Sequence, residues 1–299
     1  MARIAVIIPS YNCAPFVDQA VESVFGQTYS DYELIVIDDG SSDNTAQILA
    51  KYSLNSKFRY YRQENRGLPG ARNTGVRISD SEYLAFLDAD DQLERDALRL
   101  MVQELDRTGA SWCLIDILKA KPSGREIQFT EVPEDDPFYA ILRDDFIRRG
   151  MFFRRDAFVE VGMYDESMKY REDWDLNIRM FAARKSFLYL PQPLYIYTWR
   201  EGSITTGKRA RMLDFTAMLL RKHHRSFADA GDKRAAKIYA QNMWRLGRFY
   251  FYDVRLYRRV LACVLESLKY DFSPARVFHP LLHHARQVTK TAATPRQLK

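Results

Sequence analysis

The chain has 299 residues, 46% of them hydrophobic, enough for one large α/β domain with an extension and a sizeable core. Its net charge of +6 is unevenly placed: residues 1–207 carry 25 Lys and Arg against 33 Asp and Glu, and residues 208–299 carry 20 against 6. An acidic zone can hold a metal and a basic one can face an anionic partner, while no apolar run reaches the ~18 residues that a spanning helix needs.

Ile4 to Ile8 predicts a first strand, a run too short for a signal-peptide core and with no cleavage pattern after it. Phe16, Val17, Ala20, Val21, Val24 and Phe25 recur at helical spacing, and Glu33 to Ile37 is a second strand. Thr45 to Tyr52 reads as a helix, with Asp43 as its capping candidate. Phe58 to Tyr61 is a strand. Pro69 to Ile78 is a helix with Pro69 in its first turn. Tyr83 to Leu87 is a strand running into Asp88, Asp96 to Arg107 a helix, and Trp112 to Leu118 a strand. Residues 119–150 look less regular. Helices follow at Asp156 to Val161 and at Glu172 to Ala183, then an extended run from Leu188 to Tyr197. Cys13, Cys113 and Cys263 have neither zinc nor disulfide spacing, so a reducing, cytoplasmic compartment is expected.

The alternation predicts an open α/β sheet, which binds ligands at the carboxyl ends of its strands. Three polar clusters fall there: Pro9-Ser10-Tyr11-Asn12, Asp38-Asp39-Gly40-Ser41-Ser42 and Asp88-Ala89-Asp90-Asp91. Asp88 and Asp90 lie two apart, so an extended backbone turns both carboxylates to one side. Hard oxygen ligands suit Mg2+ or Mn2+. Equally, an acidic turn can simply cap the next helix. Asp39 can accept an imino N–H from a pyrimidine ring, or Asp38 and Asp39 can form an Asx-type turn. His223, His224, His279, His283 and His284 lack ligand partners at metal spacing and read as surface or interface residues.

These segments resemble glycosyltransferase family 2. The resemblance rests on Val6-Ile7-Ile8-Pro9-Ser10-Tyr11-Asn12, Ile37 to Thr45, Asn65-Arg66-Gly67 with Ala71-Arg72-Asn73, Phe86 to Asp91, and Glu172-Asp173-Trp174-Asp175-Leu176, in order across residues 3–205. It implies a GT-A fold: a Rossmann-like, mostly parallel sheet flanked by helices, here followed by a basic helical extension. The implied catalytic domain is 1–207, with 1–110 binding nucleotide and 111–207 carrying the acceptor side and the base; 208–299 is the extension. The implied reaction moves a sugar from a nucleoside-diphosphate sugar, UDP by expectation, to an acceptor hydroxyl with inversion, in cell-surface polysaccharide or glycolipid assembly. Pro9, Ser10, Tyr11 and Asn12 would line the nucleoside pocket, joined by Asp38. Asp39 would bond the base. Arg72 and Asn73 would floor the diphosphate site, beside Ala89. Asp88 would contact ribose or a metal-bound water, and Asp90 would bind Mn2+ or Mg2+. Asp173 would be the catalytic base, with Glu172 as its neighbour. A carboxylate opposite the leaving group fits a single displacement, though both acids also suit a helix first turn.

The processive branch carries a Gln-x-x-Arg-Trp signature. Only Trp199-Arg200 occurs here, reversed, which favours transfer of one or a few sugars. The run from Trp199 to Thr205 is a candidate mobile loop hinged at Gly202, with Arg200 near the diphosphate. Two readings fit the basic tail: contact with an anionic inner-leaflet surface, where a lipid-linked or saccharide acceptor waits, or packing on the catalytic domain or another subunit in an oligomer. A sugar nucleotidyltransferase should carry a Gly-rich basic loop after its first strand, and Ser10 to Pro15 has none. A non-catalytic nucleotide-sugar or anion-binding protein remains an alternative; no nucleic-acid signature is present, and no nucleic-acid partner is expected.

Overall fold

The computed structural model describes residues 2–147, 149–200, 209–252 and 256–271. The chain divides into two compact units, Met1–Arg209 and Ala210–Lys299.

The first unit is built on a nine-stranded sheet. In chain order its strands are β1 (Ile4–Ser10), β2 (Tyr32–Asp38), β3 (Phe58–Arg62), β4 (Tyr83–Phe86), β5 (Gln92–Leu93), β6 (Trp112–Lys121), β7 (Gly124–Gln128), β8 (Arg149–Arg154) and β9 (Phe187–Thr198). The spatial order is β3-β2-β1-β4-β8-β6-β9-β5, with β7 paired to β6. The helices are α1 (Val17–Phe25), α2 (Thr45–Leu49, continued as a 3-10 turn to Tyr52), α3 (Gly67–Arg77), α4 (Ala97–Thr108), α5 (Pro137–Arg143), α6 (Arg155–Glu160) and α7 (Glu172–Ala182).

The expectation of a mostly parallel sheet holds for the first half. There β1 pairs in parallel with β2 and β4, and β2 with β3. The second half makes the sheet mixed: β8 runs antiparallel to both β4 and β6, and β5 to β9. The stretch 119–150, expected to be irregular, contains the β6–β7 hairpin, α5 and the start of β8. Sequence periodicity misses these because β7 is largely exposed and lacks an apolar face.

Every residue of β1 is buried, as a strand covered on both faces must be. Ile4, Val6 and Ile8 point into a core shared with Val17, Val21 and Val24 of α1 and Leu98, Met101 and Leu105 of α4. Ile7 points the other way, to α3. A Cβ on Gly75 would sit 2.4 Å from Ile7 Cγ2, so the bare glycine sets how closely α3 approaches the sheet. On that side Phe86 of β4 meets Phe158 at 5.3 Å and Tyr164 at 5.4 Å.

The described residues of the second unit form helices: α8 (Arg209–Lys222), α9 (His224–Asp229), α10 (Lys233–Tyr252) and α11 (Tyr257–Tyr270). The histidine expectation is corrected here. His224 is fully buried, near the Tyr239 ring and 3.5 Å from Asn242, and His223 is buried as well. His223 lies in the turn between α8 and α9 and His224 opens α9, and a lone imidazole does not reveal burial there. His279, His283 and His284 lie outside the described residues. Among the described residues no helix is long and apolar enough to cross a membrane.

Candidate active site

The strand order reverses between β1 and β4, so the crevice beyond their carboxyl ends is where a ligand fits. Three loops reach it, after β1, β2 and β4.

The first two loops brace each other. Asn12 sits at a left-handed φ of 52°. Its backbone N–H donates to Ser41 Oγ at 3.0 Å, and its Oδ1 accepts from Ser42 N at 2.8 Å. Asp43 accepts from Ala14 N at 3.0 Å and from Thr45 N at 3.1 Å, tying the start of α2 to the same loop. Ser10 is buried at the end of β1, whereas Tyr11 is half exposed and available as a flat face. Asp38 accepts from Ser41 N at 2.8 Å and from Tyr60 OH at 2.5 Å, so both its oxygens serve the turn. Asp39 accepts from Gln63 Nε2 at 2.6 Å and Arg66 N at 2.9 Å on one oxygen, and from Gly67 N at 2.8 Å on the other. Both aspartates are buried, which these bonds offset.

The acidic turn after β4 is not extended, contrary to expectation. Asp91 N donates to Asp88 O at 3.0 Å, closing a turn. Asp91 is buried and accepts from Tyr195 OH at 2.7 Å and Thr198 N at 2.8 Å, anchoring the turn to β9. Ala89 is buried in the core, which leaves Asp88 and Asp90 at the crevice. Arg200 forms an ion pair with Asp90 at 2.5 Å and lies over the Phe16 ring at 4.6 Å. Burial first, and the Asp88 charge second, raise the Asp90 carboxyl above its ordinary range, against the pull of Arg200. The rest of the expected loop, Glu201 to Thr205 with its Gly202 hinge, lies outside the described residues.

Arg72 joins the halves. It is 1% exposed on α3, with its guanidinium over the Tyr164 ring at 5.0 Å. It donates to Asp88 Oδ1 at 2.7 Å, to Asp173 Oδ1 at 3.1 Å and to Glu172 Oε1 at 3.4 Å. Glu172 and Asp173 open α7, whose first-turn dipole favours anions. Arg171 precedes them in the left-handed region, at φ 65°. Asn73 turns away from this group. It bonds the backbone of Tyr164 in both directions, at 2.8 and 3.0 Å, and donates to Glu166 at 3.1 Å.

Burial, and then the Asp173 charge, push Glu172 up to about 7 from an ordinary 4.5. The folded chain therefore keeps a proton that the unfolded chain releases between those values. Stability from this group is lost as pH rises through that window. Glu172→Gln removes the titration. The wild type is expected to lose melting temperature relative to this variant between about pH 5 and pH 7.5, and parallel pH profiles would refute the assignment.

Some participants are invisible to sequence reasoning. Tyr195 accepts from Asp88 N at 3.2 Å, from more than a hundred residues away. Glu166 gathers Arg66 at 2.6 Å and Arg77 at 2.9 Å, fixing α3 to the segment before α7. Asp145, between α5 and β8, is pushed up to about 7 by burial and then by the charge of Asp173. No local pattern marks these residues; only the sheet brings them together.

Residues 5–163 match the Glycosyl transferase family 2 profile. An uncharacterized glycosyltransferase of Bacillus subtilis, EpsJ, is 26% identical over 68% of this chain and 62% of its own length. Chondroitin synthase of Escherichia coli is 38% identical over 37% of this chain and 16% of its own. The chain thus spans less than two thirds of these relatives. S. aureus TarS 1–349, solved in complex with UDP-GlcNAc, shares the fold at a TM-score of 0.71 and 18% identity, covering 95% of this chain and 87% of that one. A mannosyltransferase of Pyrobaculum calidifontis, solved with GDP-Man and Mn2+, follows at 0.59 and 20%, covering 96% and 80%. With its profile match covering more than half of its length, the chain belongs to glycosyl transferase family 2.

Proposed function

We propose that the chain transfers a sugar from a nucleoside-diphosphate sugar, with UDP as the nucleotide, to an acceptor hydroxyl with inversion, in cell-surface polysaccharide or glycolipid assembly. The observation that carries this reading is Arg72, which holds Asp88 of the β4 turn and Asp173 of α7 in one cluster at the switch point of the sheet. The TarS complex with UDP-GlcNAc and the chondroitin synthase relative support the donor class and the cell-surface setting.

Tyr11 stacks on the base, and Asp39 accepts its imino N–H. Asp173 takes the proton of the acceptor hydroxyl as that oxygen bonds the anomeric carbon. The bond from that carbon to the diphosphate oxygen breaks on the opposite side, which inverts the centre. Arg72 holds Asp173 in position, sharing one guanidinium nitrogen between it and Glu172.

Asp90 and Asp88 would hold a Mn2+ or Mg2+ ion. The donor set fits: two hard carboxylates at a crevice, one already drawing a guanidinium cation to itself. Among the described residues no three acidic, His or Cys side chains form a cage, so diphosphate and water would complete the sphere. A bound ion supplies charge neutralisation for the leaving diphosphate.

Arg200 competes for the same carboxylate. The pair is partly exposed and worth about 1 kcal/mol. Arg200→Ala is therefore expected to tighten Mn2+ binding about fivefold without nucleotide, read by electron paramagnetic resonance. Unchanged or weaker binding would remove Asp90 from the ligand set.

The overall reading is tested by incubating the chain with Mn2+ and a panel of nucleotide-sugars. Release of a nucleoside diphosphate, slowly by hydrolysis and faster with acceptor, is expected. Pyrophosphate exchange, or no turnover together with no metal-dependent nucleotide binding, overturns it.

A further inference from the structure

Residues 233–252 and 256–270 carry eight Lys and Arg and one acid, Glu266. That acid is engaged by Arg221 at 2.9 Å and by the Tyr239 hydroxyl, and Arg259 pairs with Asp214. On α10, Lys237, Gln241, Arg245, Arg248 and Tyr252 recur every three or four residues and are exposed, which places them on one face. On α11, Tyr257, Leu261 and Leu265 recur every four residues and are 61%, 60% and 60% exposed. The opposite side of α11 is seated: Cys263 and Ser267 are buried, Ser267 Oγ donates to Ala240 O at 2.7 Å, and a Cβ on Gly247 would lie 3.2 Å from Cys263 Cβ. Between the helices runs a shallow groove lined by Trp244, Phe251, Val260 and Val264, with Arg248 and Tyr252 also lining it.

We infer that this face of α10 and α11 docks on an anionic lipid bilayer surface. A row of bases beside an apolar stripe matches a layer with phosphate above acyl chains: Arg245 and Arg248 meet the headgroups while Tyr257, Leu261 and Leu265 enter the boundary below. A second copy of the chain would set Lys237, Arg245 and Arg248 against their like, which disfavours self-association through this face. A nucleic-acid backbone would satisfy the bases but leave Leu261 and Leu265 in water.

The test is flotation of the full chain with vesicles of phosphatidylcholine containing about a quarter phosphatidylglycerol, at about 0.15 M salt. Binding is expected there and not to phosphatidylcholine alone. Arg245→Gln/Arg248→Gln should weaken it about 30-fold and Leu261→Ser/Leu265→Ser about tenfold or more, with melting temperatures close to wild type. No binding of the wild type to the anionic vesicles overturns the proposal. So does unchanged binding of the leucine variant, which would reduce the face to charge alone. A dimer in the absence of vesicles that the leucine variant abolishes overturns it in favour of a second copy.

Discussion

Asp173→Asn is expected to lower kcat about a thousandfold while leaving the affinity for UDP within about threefold of wild type. The asparagine keeps an oxygen to accept from Arg72, now 3.1 Å from Asp173 Oδ1, so the cluster retains its shape. What is lost is the ability to take a proton from the acceptor hydroxyl. In the proposed site the nucleotide is held by the β1, β2 and β4 loops with Arg72 and Arg200, and not by this side chain, so binding and turnover are expected to separate. Isothermal titration with UDP and Mn2+, beside a steady-state assay, reads both. A loss of UDP affinity equal to the loss of kcat would make Asp173 part of the donor site and not the base.

Arg72→Met is expected to cost about 3–5 kcal/mol of stability, the scale for removing one partner of a buried ionic cluster. The first unit's size makes that a fall in melting temperature of about 10 °C. The guanidinium is 1% exposed and faces three carboxylates, which without it repel one another around a neutral side chain. Those carboxyls then shift upward in the folded state, so the deficit shrinks on acidification as they protonate. Arg72→Lys restores one positive point but not the fork that reaches Asp88 and Asp173 on separate nitrogens, so only partial recovery is expected. Melting profiles at about pH 5 and pH 7.5 test both statements; a deficit that grows on acidification would contradict the cluster's charge assignment.

Much of the first half is local in origin and was therefore legible. Ile4 to Ile8 and Leu34 to Ile37 are unbroken apolar runs, and such runs bounded by turn residues form buried parallel strands. The spacing of Val17, Ala20, Val21 and Val24 gives α1 its buried face. Where these patterns weaken, legibility ends. β5 has two residues, and β7 has no apolar side. The burial of His224 depends on neighbours across the helices of the second unit, not on its own flanks.

The site divides in the same way. Short-range pattern, added to a family's motif order, determined that Pro9 to Asn12, Asp38 to Ser42 and Asp88 to Asp91 meet at one sheet edge, because strand ends and their turns follow from side chains a few residues apart. It could not sort the acids within them. Asp38, Asp39 and Asp91 all have both oxygens engaged by internal donors, with a single donor on Asp39 Oδ2, Asn12 and Asn73 bond backbone, and Asp90 faces Arg200. Only the tertiary structure decided this. A carboxylate's chemistry depends on its burial and on the charges beside it, and the arginine that joins Asp88 to Asp173 stands 16 residues from one and 101 from the other.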